Sequence, residues 1–266
     1  MDQKTEERSR KKVAEVDCCR IAGAEYAPLT DAVPVEEPIA VMINGEHSMD
    51  VAMSPCDIED FIVGHLVCEG TISSPREISY LEAGNGWVEV KLNDRTGILR
   101  PREIIFSACF GSTGHSTGAL ERVKSGIRMS PEQIKGGIKI AMDSEVHRET
   151  GGVHTCAILR PGAAGDVEVV SLREDIGRHT ALDKAVGAAL RSEVKLPSCF
   201  LVTTGRASSE MVAKCYGARL PVICSRGATT TLAVEISKVA GITLVGFVRG
   251  SRMNVYSNTE RIEGCR

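Results

Sequence analysis

The feature that most constrains the fold is a regular alternation of short apolar runs and helical patterns in the C-terminal half of the chain. Strand-like runs bounded by turn residues are followed by longer stretches whose apolar residues have helical spacing. Such alternation predicts a parallel or mixed sheet with helices packed on its faces. We therefore predict an α/β protein whose mixed sheet carries helices on both faces. The segments, in chain order, are VHTCAIL, VEVVSL, ALDKAVGAALRS, CFLVTT, SEMVAKCYGA, PVICS, TLAVEISKVAG and ITLVGFV.

The N-terminal part has a different pattern. From Pro38 onward, two strand-like runs flank Asn44-Gly45, a pair of residues typical of hairpin turns. A helix is predicted next, with Ser54 as its cap and Pro55 at its first position, ending at Gly70. We expect a mobile polar tail over residues 1–20, a small β-rich N-terminal α+β subdomain with one helix over residues 21–105, and the α/β domain over residues 106–266.

A further helix is predicted to begin at Ser130, because Ser130 and Gln133 have the spacing of a capping box. This helix could run to about Arg148, before the Gly151-Gly152 break.

Charge and cysteine usage exclude several classes of protein. The formal net charge is -3 over 266 residues, which disfavours a general nucleic-acid binder. No run of about 18 apolar residues occurs, so we expect no membrane span and a cytoplasmic location. The 10 cysteines are then expected to be reduced, and the absence of any C-x2-C pair argues against structural zinc.

Three predicted strand ends carry arginine, glycine and hydroxyl residues. They are Gly205-Arg206, Arg226-Gly227 and Arg249-Gly250-Ser251-Arg252. Glycine lets backbone N–H groups approach a ligand, and arginine binds phosphate with two parallel hydrogen bonds. One such loop is most often a turn with a solvated charge, but the three together suit a polyanion such as a nucleotide.

Two other segments allow a structural and a functional interpretation. In the stretch from Arg173 to His179, an acidic side chain could simply favour the N-terminal end of a helix, or Arg178 could hold an anion while His179 moves a proton. His154 is more often a loop or core histidine than a catalytic one. A zinc deaminase is excluded, because the H-x-E and P-C-x-x-C signatures are both missing.

Cys109 differs from most of the other cysteines by its setting. It follows the apolar run IIFSA and precedes a loop of small residues, FGSTG, with His115 close by. Such a setting can expose a thiol and lower its pKa, so Cys109 is the best candidate for a reactive thiol. Cys68, Cys156, Cys199, Cys215 and Cys224 flank aliphatic residues and are expected to be inert packing residues.

Taken in order, several blocks of the sequence resemble the FdhD family of formate dehydrogenase accessory sulfurtransferases. The blocks are SACFGSTG, GGVHTCAIL, REDIGRHTALDKAVG, TTGRASSEMVAKC and ATTTLAVEISKVAGITLVGFVRGSRMNVY. The resemblance implies a cytoplasmic, homodimeric sulfur carrier with a fold similar to cytidine deaminases. It also implies a cysteine desulfurase as the sulfur donor, the bis(molybdopterin guanine dinucleotide) molybdenum cofactor as the acceptor, and formate dehydrogenase as the final partner.

The resemblance also assigns residues. It implies Cys109 as the persulfide carrier and the stretch Phe247-Val248-Arg249-Gly250-Ser251-Arg252 as the cofactor-binding segment. To these we add the hypothesis that Arg206, Arg178 and His179 line the same cavity. The family's C-x-x-C loop is C-x-x-S here, because Ser112 replaces the second cysteine. This departure leaves open an alternative, a cofactor-binding chaperone for formate dehydrogenase that does not pass sulfur.

Overall fold

The computed structural model describes residues 12–93 and 121–265, so the segment with Cys109 lies outside the described residues. The N-terminal part begins with a two-stranded hairpin and continues into a four-stranded sheet with the order β4-β3-β6-β5. One helix packs its apolar side on this sheet. The elements are β1 Val13–Ala22, β2 Glu25–Pro34, β3 Glu37–Ile43, β4 Glu46–Met53, α1 Ile58–Cys68, β5 Ile78–Gly84 and β6 Trp87–Leu92.

The rest of the described chain forms a six-stranded sheet with the order β12-β11-β10-β9-β7-β8. Strands β9, β10 and β11 are parallel, and the other three strands run antiparallel to their neighbours. The elements are α2 Pro131–Met142, α3 Glu145–Thr150, β7 His154–Pro161, β8 Val167–Asp175, α4 Arg178–Arg191, β9 Phe200–Thr203, α5 Ser209–Gly217, β10 Val222–Ser225, α6 Thr231–Ala240, β11 Thr243–Arg249 and β12 Arg252–Ser257.

Helices cover both faces of this sheet, as the alternation of segments predicts. One apolar cluster joins α4, α5 and α6 to residues such as Ile158, Leu201 and Ile223. The other joins α2 to residues on the opposite face, among them Phe200 and Val202. A mixed α/β fold is therefore confirmed. Within residues 12–93 and 121–265, no helix is long and apolar enough to cross a bilayer.

The start of the chain differs from the prediction. Residues 13–20 were expected in a polar tail but belong to β1, which pairs with β2 along its whole length. Most residues of this hairpin are exposed on both faces. Because neither face is buried against a core, the sequence carries no apolar alternation that could have revealed the strands. Residues 1–11 lie outside the described part.

Two helix boundaries also differ. The hairpin turn at Asn44-Gly45 is confirmed, but α1 begins at Ile58 with Asp57 as its cap, not after Ser54. Ser54 is instead held by Asp175, whose carboxylate accepts its backbone N–H at 3.1 Å. The capping box of Ser130 and Gln133 is confirmed.

The helix predicted to run to about Arg148 is interrupted at Asp143. There the Ser144 hydroxyl bonds to the Ala141 carbonyl at 2.9 Å and to the Thr155 hydroxyl at 2.7 Å. These contacts turn the chain, and a second short helix, α3, follows.

Helix α1 lies unusually close to α4 and α5. A Cβ atom on Gly64 would lie 1.8 Å from the carbonyl oxygen of Asp183, and one on Gly187 would lie 1.8 Å from that of Asp60. A Cβ on Gly217 would lie 2.2 Å from the Cys68 carbonyl oxygen. Only glycine permits backbones to pack this closely. The N-terminal sheet is thereby fixed against the helices that flank the candidate site.

Candidate anion-binding site at the strand ends

The parallel strands β9 and β10 end at the same edge of the sheet, since Thr203 pairs in register with Ser225. The loops that follow them lie side by side. The Ala207 N–H donates to the Ala228 carbonyl at 3.0 Å, and the Thr229 hydroxyl donates to the Ala207 carbonyl at 2.9 Å. The first two arginine-glycine segments are therefore brought together, as the sequence predicts.

Ser225 and Gly227 connect these loops to one another and to β11. The Ser225 hydroxyl donates to the Gly205 carbonyl at 2.6 Å and accepts the Gly227 N–H at 2.9 Å. A Cβ on Gly227 would lie 3.3 Å from backbone atoms of Arg206, so glycine allows the close approach. The Gly227 carbonyl in turn accepts the Phe247 N–H at 2.9 Å. Backbone bonds thus align all three segments.

The third segment has a different geometry from the other two. Strand β11 continues to Arg249 and turns at Gly250-Ser251 directly into β12, so no helix begins there. Phe247 has a φ of 53°, and the register shifts between Gly246 and Arg249, which marks a bulge. The Arg249 guanidinium lies 5.8 Å from the centre of the Phe247 ring, and its Nε donates to the Arg226 carbonyl at 3.2 Å.

The predicted cofactor-binding stretch is therefore mostly accessible. Arg249, Gly250, Ser251 and Arg252 are exposed, and Phe247 is partly buried. Val248 is 2% exposed and packs in the core beneath α2. Its side chain cannot touch a ligand at this edge, so a role for Val248 is limited to its backbone.

The strand ends carry concentrated positive charge. Arg206, Arg226, Arg249 and Arg252 are exposed, and no carboxylate of residues 12–93 or 121–265 lies within salt-bridge distance of them. Guanidinium groups without a carboxylate partner are free to bind phosphate. The arrangement fits an extended polyanion better than a single small anion.

Arg178 and His154 extend this surface toward β7. A Cβ on Gly205 would lie 3.0 Å from the Arg178 Cβ and 3.3 Å from the His154 Nδ1, so both side chains contact the first loop. Burial, followed by the positive charges of Arg178, His147 and Arg206, lowers the pKa of His154. A neutral imidazole beside two guanidinium groups can donate a hydrogen bond to an anion without adding charge.

Three buried polar atoms near this edge have no hydrogen-bond partner in the described part of the chain. They are Arg178 Nε, His179 Nε2 and Ser208 Oγ. His179 Nε2 lies 3.3 Å from a Glu210 carboxylate oxygen, but the angle does not make a hydrogen bond. An unsatisfied buried polar atom costs about 1–3 kcal/mol, so each of these atoms would gain from a hydrogen bond to a polar ligand.

His179 faces a separate cavity of about 240 Å³ between α1, α4 and α5. Neither Arg178 nor Arg206 is among the described residues that line this cavity, so the sharing of one cavity by the three residues stays a prediction. Arg178 lies against Gly205, the residue before Arg206, at the strand ends, whereas His179 lines the cavity between the helices. Burial and the charge of Arg178 lower the pKa of His179, while Glu210 opposes the shift.

A buried charge network that the sequence did not reveal forms one wall of this cavity. Lys214 Nζ lies 2.8 Å from Asp183 and 2.7 Å from Glu69, and His65 Nδ1 lies 3.1 Å from Asp183. Burial acts to raise the pKa of Asp183, but Lys214 and His65 hold it below the ordinary value. The available signal was a charged residue inside an apolar helical run, such as Lys214 between Ala213 and Cys215.

The acidic side chains around the start of α4 have structural roles. The Glu174 carboxylate accepts the backbone N–H groups of Val146 and His147, at 3.2 and 2.7 Å, and so stabilises the start of α3. Asp175 pairs with buried Lys184 at 2.6 Å. The structural interpretation therefore holds for these two acids, whereas Arg178 reaches the strand-end surface.

Most of the described cysteines match the prediction of inert packing residues. Cys68, Cys156, Cys199, Cys215 and Cys224 are buried. Burial raises the pKa of each, to about 12 for Cys156, which keeps these thiols protonated. The candidate persulfide carrier, Cys109, lies outside the described residues and stays a prediction.

The chain is a mixed α/β protein that gathers arginine and glycine at the ends of its sheet strands. The family model described as FdhD/NarQ matches residues 34–263. The chain therefore belongs to the FdhD/NarQ family, and the resemblance inferred from its sequence blocks is confirmed.

Relatives and a solved structure agree with this assignment. The sulfur carrier protein FdhD of Saccharolobus solfataricus is 34% identical over 94% of this chain and 98% of its own length. The protein of the same name from Wolinella succinogenes is 32% identical over 88% of this chain and 83% of its own. A crystal structure from Desulfotalea psychrophila, described as a formate dehydrogenase accessory protein, is similar with a TM-score of 0.77 and 25% identity, over 95% of this chain and 100% of that one.

Proposed function

We propose that this chain is a cytoplasmic sulfur carrier that serves formate dehydrogenase. It accepts sulfur from a cysteine desulfurase as a persulfide on Cys109 and delivers it to the bis(molybdopterin guanine dinucleotide) molybdenum cofactor, its substrate. The observation that carries the proposal is the row of strand-end arginines that pair with no carboxylate of residues 12–93 or 121–265, in a family whose relatives are named sulfur carrier proteins. A homodimer and a cytidine-deaminase-like arrangement of the sheet are part of the proposal.

Loading the carrier needs one thiolate and no change of redox state. The Cys109 thiolate attacks the outer sulfur of the desulfurase persulfide, the sulfur–sulfur bond of the donor breaks, and the donor leaves as a thiolate. Delivery of the outer sulfur as sulfide returns Cys109 to a thiolate and takes up two electrons from a thiol reductant. One cysteine is sufficient for both steps, so Ser112 does not prevent them.

The residues at the strand ends would hold the two guanine dinucleotide arms. Arg206, Arg226 and Arg249 can each donate two hydrogen bonds to a phosphate, and the backbone N–H groups around Gly205 and Gly227 lie at the same edge. These residues bind and orient the substrate; they do not themselves carry sulfur.

The second candidate function is a chaperone that binds the cofactor and docks formate dehydrogenase without passing sulfur. Ser112 favours it, because a loop with a single cysteine has no second thiol to form a disulfide or to relay sulfur. The described residues of the strand-end surface lie outside that loop, so their binding role is the same in either function.

Mass spectrometry of the intact protein and its peptides distinguishes the two. After incubation with a cysteine desulfurase and cysteine, a carrier gains one sulfur on the peptide that contains Cys109, and reductant removes it. Cys109→Ala abolishes the gain, whereas the matched control Cys265→Ala retains it. An unmodified Cys109 in a protein that still binds the guanine dinucleotide cofactor contradicts the carrier and supports the chaperone.

A further inference from the structure

A large groove opens at the edge of the central sheet opposite to the arginine-rich strand ends. Its volume is about 860 Å³, and it is lined where β7 ends, where β9 begins and where α4 and α5 end. The groove therefore lies at the N-terminal ends of the parallel strands. A strand of about four residues, roughly 13 Å long, separates it from the candidate anion site. The groove is therefore a separate surface, and the proposed cofactor-binding role does not use it.

The floor of the groove is apolar and its rim is basic. The floor includes Ile127, Leu190 and Leu196, and the described residues that line the rim include four cations and no carboxylate. The four are Arg128, Arg160, Lys195 and Arg219. This combination suits a peptide segment that alternates acidic and apolar side chains.

Two of the four cations have no partner in the described part of the chain. Arg160 pairs with Glu168 at 2.7 Å, and Arg219 lies 3.6 Å from Glu121. Arg128 and Lys195 are exposed, and no carboxylate of residues 12–93 or 121–265 lies within salt-bridge distance of either. They are the charges most available to a partner.

The groove is continuous with the segment that carries Cys109. Residues 121–128 follow directly on residues 94–120 in the sequence, and residues 125–128 form one side of the groove. Ser125 fixes them there, because its hydroxyl donates to the Pro197 carbonyl at 2.6 Å. Cys109 precedes Glu121 by 12 residues, a length of chain that spans at most about 40 Å. This length of chain is sufficient for the thiol to contact a protein that is bound in the groove.

The segments of this chain outside the described residues do not match the charge of the groove. Residues 1–11 contain three acidic and four basic side chains, and residues 94–120 contain two acidic and three basic ones. Both are net positive, so neither complements a basic rim. The chain carries a net charge of -3, which disfavours a nucleic acid as occupant.

We infer that this groove, with Arg128 and Lys195 on its rim, binds an acidic segment of the protein that supplies sulfur to Cys109. The inference rests on the proposed carrier function and names the chemistry by which the donor is recognised. A donor docked at this edge lies within the length of chain that joins Cys109 to the groove, and it leaves the strand-end surface free for the cofactor, so the donor and the cofactor bind different faces of the molecule.

Charge reversal tests the inference. The variant Arg128→Glu/Lys195→Glu is compared with the wild type and with Lys139→Glu/Arg148→Glu, a matched control of equal charge change on α2 and α3. Binding of the full chain to an immobilised cysteine desulfurase is measured by interferometry at low and high salt. We expect the wild type to bind less tightly at high salt, the groove variant to lose about tenfold or more in affinity, and the control to resemble the wild type.

Loading with a small persulfide separates the docking step from the chemistry. With glutathione persulfide as donor, the groove variant should gain sulfur on Cys109 at the same rate as the wild type. With the desulfurase as donor, the rate of sulfur gain should be lower in the groove variant than in the wild type. If the wild type gains no sulfur from either donor, the carrier function fails, and the docking inference is then judged by the binding measurement alone.

Two results overturn the docking inference. One is equal binding of the desulfurase by the wild type and the groove variant. The other is a change of molar mass in light scattering caused by the groove reversal, which would identify the groove as an interface between copies of this chain. Competition by a peptide of alternating glutamate and leucine, but not by one of lysine and leucine, supports the inference independently of the donor.

Discussion

At the scale of single residues, Arg206 holds the central position on the strand-end surface. Its backbone packs against Gly227, its neighbour Gly205 contacts Arg178, and its charge lowers the pKa of His154. It is exposed and makes no salt bridge with a described carboxylate. Its side chain is therefore available for a phosphate group, and little of the fold depends on that side chain.

We expect Arg206→Ala to weaken the binding of guanosine diphosphate, the nucleotide fragment of the proposed substrate. A charge-assisted hydrogen bond contributes about 1.5–3 kcal/mol, which corresponds to roughly tenfold to a hundredfold in affinity. Calorimetric titration of the full chain measures the change, and Arg148→Ala, an exposed arginine on α3, is the control. Unchanged affinity in Arg206→Ala would remove this residue from the site.

His154 gives a prediction about pH. Because its pKa is lowered in the folded protein, the folded state binds a proton less readily than the unfolded chain does. Both states are neutral well above the ordinary histidine value of about 6.5, so stability should fall as pH decreases through that value. His154→Gln should make the acid-induced loss in melting temperature smaller. His47→Gln, at an exposed position on β4, is the control for removal of a histidine.

At the scale of secondary-structure elements, α1 and α4 pack closely through two glycines. Gly64 and Gly187 each face a carbonyl oxygen of the other helix. Each glycine lowers the intrinsic stability of its own helix, so its presence is explained by the packing of the pair. The contact positions His65 beside Asp183 and thereby shapes the wall of the small cavity.

A pair of alanine substitutions tests the close packing of α1 against α4. Gly64→Ala should destabilise the protein by about 1–3 kcal/mol or more, because the added methyl group forces the two backbones apart. Gly136→Ala, in the middle of α2 with no atom within 4 Å of the new Cβ, should instead stabilise by about 0.5–1 kcal/mol. Urea unfolding of both variants measures the difference, and equal effects of the two would contradict the close helix contact.

The elements that the sequence predicts well are those that pack in the core. The helices carry an apolar face, and β9, β10 and β11 are short apolar runs because both of their faces are buried. The meeting of the ends of these three strands at one edge follows from their parallel pairing. The hairpin of β1 and β2 has no buried face, so no period marks it. The break before α3 depends on Ser144 bonding to Thr155, a contact between positions that only the fold brings together.

The site was predictable to the same limit. Arginine and glycine at predicted strand ends indicate Arg206, Arg226 and Arg249 as candidates, and the parallel pairing of β9, β10 and β11 places these strand ends at one edge. That His179 lines a cavity between α1, α4 and α5 depends on the packing of three helices, which sequence spacing does not determine. His65 on α1 and Glu69 at its C-terminal end precede Asp183 and Lys214 by more than a hundred residues, so the charge network could not be deduced locally.

At the scale of the whole molecule, buried charges tie the N-terminal part to the central sheet. Lys184 on α4 and Asp175 on β8 are both fully buried, and Lys184 Nζ also donates to the Ser54 carbonyl at 2.8 Å. Asp60 on α1 accepts from Arg173 and Arg191, both at 2.7 Å. Because removing one partner leaves the other charge buried without compensation, these pairs make docking of the two parts specific.

We expect Lys184→Met to destabilise the protein by about 3–5 kcal/mol, since it leaves the Asp175 carboxylate buried without its cation. Asp175→Asn/Lys184→Met, which removes both charges, should recover part of the loss. Lys135→Met, which breaks a surface pair with Glu132, should cost about 0–1 kcal/mol.

The effect of Lys184→Met should depend on pH in a defined direction. Burial already raises the pKa of Asp175, with Lys184 acting against the shift. Without Lys184 the folded state holds a proton on Asp175 more tightly than the unfolded chain does. The loss of stability caused by Lys184→Met should therefore be smallest at acid pH and grow as pH rises toward the raised pKa of Asp175. Urea unfolding across this range measures it, and a loss that does not change with pH would show that the damage comes from packing and not from the uncompensated carboxylate.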